Sequence, residues 1–254
     1  MAHQCFEQPI FGGFADYAEL LQGADWPDIA ALNAQLAVQD KQFVLQDDAL
    51  LGDGLHYEQR IAQGRIATRA QNWHDLFNAL VWARHPAIKR ALNAQQCLHI
   101  AAMGTTQRNH AQAALTQFDE TGVIVRVRDA ALLSVWDRHD WATLFDPRSW
   151  QQGDIALCAL IGHALLEQAL LPGRLLVGKS IVVLGEDDAA CVARIAAAIA
   201  EGEVLAAPSE LRPLPLAGIH GWHASQDAAF YQSRDYFRLL REGRVYPSAL
   251  SLRS

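Results

Sequence analysis

Apolar residues recur at intervals of three or four positions along much of the chain, and this period predicts amphipathic helices. The clearest helix follows Asn72, where Leu76, Phe77 and Leu80 share one face. Asn72 suits the N-terminal cap, and Pro86 disfavours helical geometry at the residue before it, so this helix should end there. Further helices are predicted over residues 14–21, 27–36, 86–97, 111–118, 130–141, 155–171 and 189–200.

Short runs of β-branched residues predict a small sheet. The predicted strands cover residues 42–45, 123–127 and 175–184, together with a strand pair over 56–68 that turns at Gln63-Gly64. Prolines and glycines become frequent after Glu203, which predicts an irregular tail over 204–254 that wraps the body. The predicted fold class is therefore α+β: a helix-rich single globular unit, 1–254, with a small sheet. A sub-boundary near Pro172 is the alternative.

Composition and charge limit the classes to which this protein can belong. A chain of 254 residues with 51% hydrophobic and 19% charged residues can bury a large core without disulfides. The formal net charge is -7 and no basic face is evident, so the sequence predicts no nucleic-acid partner. The longest apolar region is interrupted by His163 and Glu167, which predicts a buried helix and no membrane partner.

The cysteines are scattered along the chain and form no C-x-x-C pair; they are Cys5, Cys97, Cys158 and Cys191. This pattern favours free thiols in a reducing compartment. The first residues lack a basic segment followed by an apolar one, so no signal peptide is predicted. The expected location is the cytoplasm, and the sequence does not indicate an oligomeric state.

The string from Gly173 to Ser180 fits G-x-x-x-x-G-K-[ST], the pattern of a phosphate-binding P-loop. A P-loop follows a strand and opens a helix, whose N-terminal amides bind the phosphates. Here a predicted helix precedes the string and the β-branched run 181–184 follows it. ATP binding is therefore not favoured.

Polar side chains with catalytic potential are concentrated in one predicted helix. His74 and Asn78 lie four residues apart on a shared face, and His74 borders the apolar side. Such a histidine can act as a base, a metal ligand or a hydrogen-bond donor near neutral pH, or it can simply bond to a backbone carbonyl. The pair His74-Asp75 is also similar to part of the H…HD…D metal pattern of phosphohydrolases, with His56 and Asp119 as candidate outer members.

A second polar pair lies within the apolar segment 155–171. His163 and Glu167 share a predicted helical face, and a buried carboxylate needs a cationic, hydrogen-bonding or metal partner. If this helix faces the one that carries His74, two histidines and a carboxylate converge. Such a set could bind Zn²⁺ or Fe²⁺ with open coordination positions, or serve as a metal-free acid–base site.

Four sequence blocks occur in a defined order. They are 72–80 with Pro86, Lys89 and Leu92-Asn93; 114–122; 162–167; and 213–222 with Phe230-Tyr231 and Tyr236-Phe237-Arg238. Together they resemble an uncharacterised bacterial family, domain of unknown function 3025. The resemblance implies no activity. It does imply that the regions around His74, Asp119 and His163 belong to the family's pattern. The chain departs from that pattern at Ala67, Gln117 and His220.

These residues support two alternative functions. In the first, the protein is a hydrolase-like enzyme whose polar or metal site binds a small molecule. The predicted catalytic residues are His74, Asp75, Asp119, His163 and Glu167; the predicted substrate-binding residues are Arg69, Trp73, Asn78 and Glu120; the predicted metal ligands are His74, His163 and Glu167. In the second, the same polar residues form a buried network that fixes helix packing in a non-catalytic binding or scaffold protein.

Overall fold

The computed structural model describes residues 6–105 and 107–252, so Cys5 lies outside the described residues. The α-helices are α1 (Ala18–Gln22), α2 (Ile29–Gln35), α3 (Asp48–Leu51), α4 (Tyr57–Ala62), α5 (Trp73–Arg84), α6 (Pro86–Met103), α7 (His110–Thr121), α8 (Ala130–Asp137), α9 (Trp141–Leu144), α10 (Pro147–Gln151), α11 (His163–Ala169), α12 (Asp188–Ala200) and α13 (Ala228–Tyr231). The strands are β1 (Gln42–Leu45), β2 (Arg65–Thr68), β3 (Gly122–Val127), β4 (Ile155–Leu160), β5 (Val177–Leu184), β6 (Arg212–Pro215) and β7 (Leu250–Ser251). Segments of 3₁₀ helix cover Pro9–Tyr17, Pro208–Glu210 and Leu216–Gly218.

Polar caps explain where many of the helices begin. Side-chain oxygens accept hydrogen bonds from first-turn N–H groups at the start of α2, α5, α7 and α12; the capping residues are Asp28, Asn72, Asn109 and Asp187. The predicted cap of α5 is confirmed, because Asn72 Oδ1 accepts from the N–H of Asp75 at 3.0 Å. The helix ends at Arg84, and Pro86 opens α6.

The main sheet is built around β3. This strand pairs antiparallel with β4 and parallel with β5, and the strand order is β4-β3-β5-β6. Strand β6 pairs antiparallel with one end of β5, and β7 pairs in parallel with Val183 and Leu184 at the other end. Every residue of β3 is buried, as expected for a strand covered on both faces. A separate parallel pair consists of β1 and β2.

The predicted α+β class is confirmed, with helices more abundant than strands. Buried hydrophobic side chains form a core cluster that extends from Phe6 to Phe237. Helix α11 packs against both α5 and α7, and β3 begins directly after α7. This packing brings the N-terminal ends of α5 and α11 close to the C-terminal end of α7.

The segment 155–171 is not the single helix that its apolar run predicts. It forms β4 first, and α11 begins only at His163. A continuous apolar run also suits a buried strand, and pairing with β3 selects the strand. The turn between the two elements requires Gly162, because a Cβ atom there would lie 2.5 Å from Thr121 Cα.

Two other predicted elements differ from the structure for local reasons. The first half of the predicted strand pair over 56–68 is α4, which begins with a capping box. The His56 ring accepts from the N–H of Glu58 at 3.3 Å, and Gln59 Oε1 accepts from the N–H of His56 at 3.1 Å. The helix predicted over 130–141 is divided into α8 and α9, with His139 between them at a φ of 55°.

Two further observations concern membrane-spanning helices and the state of the cysteines. Across residues 6–105 and 107–252, no helix combines the length and the apolar character that a membrane span needs. Cys97, Cys158 and Cys191 are free thiols, as predicted.

Candidate metal centre

Three side chains from three helices meet at one point. His74 is the second residue of α5, Glu120 lies in the last turn of α7, and His163 is the first residue of α11. The two Nε2 atoms of the histidines are 3.1 Å apart. Glu120 Oε2 lies 3.9 Å from His74 Nε2 and 3.6 Å from His163 Nε2. These three residues are called the triad below.

The separations within the triad suit a shared metal ion. Ligand atoms bound to a tetrahedral Zn²⁺ at about 2.0–2.1 Å lie roughly 3.3–3.4 Å from one another. In the triad, the separation of 3.1 Å between the histidine nitrogens is shorter than this value, and the separations of 3.6 and 3.9 Å to Glu120 are longer. Two imidazoles and one carboxylate also leave a coordination position for water or substrate, and the same ligand types serve Fe²⁺.

Glu167 lies behind His74. Its Oε2 is 2.9 Å from His74 Nδ1, so the carboxylate can only accept a proton held on that nitrogen. The Nε2 lone pair of His74 is then directed at the other two members of the triad. Metal-binding histidines commonly have a carboxylate in this position, which fixes both the tautomer and the ring orientation.

Burial keeps His163 in the neutral form that can bind a metal. Burial lowers its pKa to about 3; the charge of Asp119 opposes this effect, while Lys89 and His74 add to it. The buried Nδ1 of His163 has no hydrogen-bond partner of good geometry among the described residues, but the backbone of Asp119 favours a proton on the ring. A proton on Nδ1 leaves Nε2 free to face His74 and Glu120.

A buried ion pair lies next to the triad. Lys89 Nζ is 2.5 Å from Asp119 Oδ1, and the lysine side chain is only 4% exposed. Burial alone would raise the pKa of Asp119, but Lys89 and the nearby histidines hold it below its ordinary value. The ammonium group also lies 5.5 Å from the ring centroid of Trp82. Asp119 therefore fixes a positive charge in a largely buried position.

The triad and this ion pair line a cavity of about 340 Å³ formed mainly by α4, α5, α6 and α7. Arg69 is half exposed and donates from Nε and Nη2 to the two carboxylate oxygens of Asp75, at 2.9 and 2.7 Å. The Tyr57 hydroxyl accepts from Asn78 Nδ2 at 2.9 Å. Charged and amide groups thus surround a space large enough for a small molecule.

The cavity gathers most of the predicted site residues. Those that line it are Arg69, His74, Asp75, Asn78, Asp119, Glu120 and His163. Glu167, predicted as a ligand, contacts the far nitrogen of His74, whereas Glu120, predicted to bind substrate, completes the triad. Trp73 instead joins an aromatic cluster, with its ring centroid 4.5 Å from that of Trp26 and 5.6 Å from that of Phe77.

Several polar residues of the cavity were not predicted as site residues. Lys89, Asn93 and Gln96 are buried and project from α6 into the lining. Their spacing of four and then three residues places them on one face, beside the apolar residues of that helix. Polar side chains repeated at helical spacing on a buried face are the signal that could have identified them. Glu58 also lines the cavity and accepts from Asn93 Nδ2 at 2.7 Å.

Comparison with protein-family models matches residues 41–241 to a family described as protein of unknown function, DUF3025. No curated protein and no solved structure matches the chain. The matched region contains the whole triad and most of the chain, in agreement with the blocks around His74, Asp119 and His163. The chain therefore belongs to the DUF3025 family.

Proposed function

We propose that this protein is a metal-dependent hydrolase in which His74, His163 and Glu120 hold one divalent cation. The observation that carries the proposal is the convergence of two Nε2 atoms and one carboxylate oxygen on the wall of a polar cavity. A bound Zn²⁺ would act as a Lewis acid and would bring the pKa of a water ligand to about 7. Hydrolysis uses both properties.

The neighbouring ion pair supports hydrolysis. Lys89 is held by Asp119. Its positive charge lowers the pKa of both His163 and Glu120, so its electrostatic effect reaches the triad. Nucleophilic attack on a carbonyl or phosphoryl group builds negative charge on oxygen. A fixed cation in a partly desolvated cavity stabilises that charge without having to reorganise.

The lining of the cavity favours a small substrate that carries an anionic group. The volume of about 340 Å³ lies at the lower end of the usual range for ligand pockets, which is roughly 300–1,000 Å³. Three cations line the cavity (Arg69, Lys89 and Arg108) against four acidic side chains (Glu58, Asp75, Asp119 and Glu120), a formal charge of -1. A divalent cation on the triad would bring this charge to +1. We infer an ester or amide bearing a carboxylate or phosphate group.

The alternative is a metal-free structural network, and one observation favours it. His163 Nε2 is close enough to donate directly to His74 Nε2, at 3.1 Å, which would continue the chain from Glu167 through His74. That tautomer leaves the buried Nδ1 of His163 as a bare acceptor, although the backbone of Asp119 favours a proton on the ring. With a metal bound to Nε2, the proton of His163 can stay on Nδ1, beside the backbone of Asp119. We therefore favour the metal site.

Metal analysis of the purified full chain tests the proposal. Wild-type protein should hold about one equivalent of a divalent metal, as expected for one three-ligand site. His163→Ala and Glu120→Gln should lose it. His110→Ala is the matched control, because this histidine is exposed, lies on the same helix as Glu120 and does not line the cavity.

Activity assays then test the reaction class. The metal-loaded protein should hydrolyse members of a panel of small anionic esters and amides, and Glu120→Gln should not. A wild-type protein that takes up no metal from Zn²⁺, Fe²⁺ or Mn²⁺ solutions would leave the structural network as the explanation. Stoichiometric Fe²⁺ with oxygen consumption and no hydrolysis would contradict the hydrolase assignment.

We also infer that residues 1–254 form one cooperative unit in the cytoplasm. The core cluster from Phe6 to Phe237 supports a single unit, and the free thiols at Cys97, Cys158 and Cys191 support a reducing compartment. Calorimetry should show one unfolding transition; two separated transitions would favour the boundary near Pro172.

A further inference from the structure

A second cavity, of about 680 Å³, lies beside β5 and β6, and residues of the segment 235–246 form part of its wall. Four cationic side chains line it: Lys179, Arg238, Arg241 and Arg244. They are called the basic cluster below. Asp235 also lines this cavity, so four positive groups and one negative group leave a local charge of +3. The chain as a whole has a net charge of -7, which makes this concentration of positive charge unusual for the protein.

The basic cluster lacks internal counter-ions. Among residues 6–105 and 107–252, none of its four members forms an ion pair. Arg238 and Arg241 are exposed, and Lys179 and Arg244 are partly buried. By contrast, the buried arginines Arg60, Arg126 and Arg212 each contact an aspartate at 2.5–2.7 Å. Grouping unpaired like charges costs free energy, and a bound anion would offset that cost.

The histidine in the same lining adds no charge at neutral pH. Burial lowers the pKa of His139, against the opposing effect of the Arg238 carbonyl. Its Nδ1 faces that carbonyl at 3.0 Å, and its Nε2 faces the Tyr246 hydroxyl at 3.0 Å. The ring therefore serves to hold the segment that carries the arginines.

Two members of the basic cluster are held in position by the fold. Lys179 projects from β5, opposite Pro213 of β6, and is half-buried. Arg244 donates to the carbonyl of Ser209, and its guanidinium carbon lies 4.4 Å from the ring centroid of Tyr246. Cations that are fixed before binding lose little conformational entropy when an anion arrives.

We propose that this second cavity binds a small phosphorylated ligand through Lys179, Arg238, Arg241 and Arg244. A local charge of +3 calls for a ligand with at least two negative charges, which one or two phosphate groups provide. Guanidinium groups match phosphate oxygens in bidentate geometry. The exposed side chains of Leu175 and Leu239 also line this cavity and suit an apolar part of the ligand.

The recognition differs from that of a P-loop. Lys179 and Ser180 belong to the P-loop-like string, but both lie within β5 rather than at the start of a helix. The N–H groups of this segment are engaged in the sheet ladder, so the binding energy would come from side-chain charge. The proposal is also independent of the triad, because the residues that line the two cavities are different.

Calorimetric titration of the full chain with inorganic pyrophosphate tests this site. Wild-type protein should bind pyrophosphate saturably at low ionic strength, and added salt should weaken the binding. Lys179→Met and Arg241→Gln should each weaken it about 10-fold to 100-fold, the effect of losing one charge-assisted hydrogen bond. Arg234→Gln is the matched control, since Arg234 is exposed directly before the segment 235–246 but does not line the cavity.

Further arms of the experiment distinguish the sources of phosphate. Leu175 and Leu239 line the cavity with exposed side chains, and exposed Val245 lies between the lining residues Arg244 and Tyr246, so a phospholipid headgroup is the other source to test. Binding to phosphatidate-containing vesicles without binding to pyrophosphate would overturn the small-ligand proposal. So would an absence of saturable binding, equal weakening in Arg234→Gln, or equally tight binding of citrate. Lys179→Met should also unfold at the wild-type temperature or above it, because three arginines no longer face a fourth charge.

Discussion

Glu167 Oε2 lies 2.9 Å from His74 Nδ1, while the opposite nitrogen of the same ring lies 3.1 Å from His163 Nε2. His74 therefore connects the carboxylate of Glu167 on one side to His163 on the other. The carboxylate can only accept, so the proton resides on Nδ1 and the lone pair on Nε2. In the proposed metal site, this relationship would make Glu167 the residue that orients the ligand His74, and Glu120 the carboxylate that binds the metal.

Exchanging Glu167 for glutamine should weaken metal binding without abolishing it. Loss of such a carboxylate commonly costs about 10-fold to 100-fold in metal affinity, whereas Glu120→Gln removes a ligand and should cost more. Competition titration with a chromophoric chelator measures both affinities. Equal losses in the two variants would show that Glu167 is itself a ligand.

Glu58→Gln should change the pH dependence of stability. Burial raises the pKa of Glu58 from 4.5 to about 7, against the opposing hydrogen bond from Asn93. The folded state binds this proton more tightly than the unfolded chain does, so the group stabilises the fold at low pH. That stability is lost as the pH rises from about 4.5 to about 7, and the loss is at most on the order of 3 kcal/mol.

Urea unfolding across this pH range measures the effect. Glu58→Gln should flatten the loss, and above about pH 7.5 the variant should be more stable than the wild type. Glu19→Gln, at an exposed glutamate of α1, is the control and should keep the wild-type dependence. A Glu58→Gln profile parallel to that of the wild type would show that this carboxyl is not buried in the folded protein.

Lys89→Met should destabilise the protein because it leaves Asp119 largely buried without its partner. We expect a loss of about 3 kcal/mol in the free energy of unfolding, at the lower end of the usual effect of removing one member of a buried ion pair, because the Asp119 side chain is 25% exposed. The double variant Lys89→Met/Asp119→Asn should recover part of the loss, since the uncompensated charge is gone. A double variant less stable than Lys89→Met would show that the ion pair is not the source of the effect.

Gly162→Ala should disturb both the fold and the triad. The added Cβ atom would lie 2.5 Å from Thr121 Cα, so α11 must move away from the end of α7. We expect a loss of about 1–3 kcal/mol in stability and weaker metal binding, because His163 would move away from Glu120. Gly13→Ala is the control, since no atom lies within 4 Å of its added Cβ. Thermal unfolding and metal titration of Gly162→Ala would both match the wild type if the contact is readily relieved.

Elements defined by local chemistry could be predicted well. The cap at Asn72 and the stop before Pro86 delimit α5 because both act within one helical turn. The β-branched residues of β3 and β5 likewise indicate their strands. The segment 155–171 was predicted incorrectly, because an apolar run is compatible with a helix or a buried strand until its partner is known.

In the candidate site, too, the sequence indicated the types of residue, and their arrangement depended on tertiary packing. The sequence indicated His74, His163 and Glu167 as metal ligands and Glu120 as a substrate-binding residue. His163 and Glu167 do share one helix, but helical spacing could not show that Glu120 of α7 lies beside the two histidines. The first turn of α11 directs His163 at Glu120, while Glu167 approaches His74 from the other side.

By itself, the sequence determined the helix caps and stops, the central strands, the net charge and the types of side chain available for chemistry. These properties depend on residues a few positions apart or on composition. Tertiary structure alone decided which groups meet, since the His74–His163 contact joins residues 89 positions apart and the basic cluster combines β5 with the C-terminal segment. Periodicity specifies which face of an element is buried, but the partner of that face depends on packing across the whole chain.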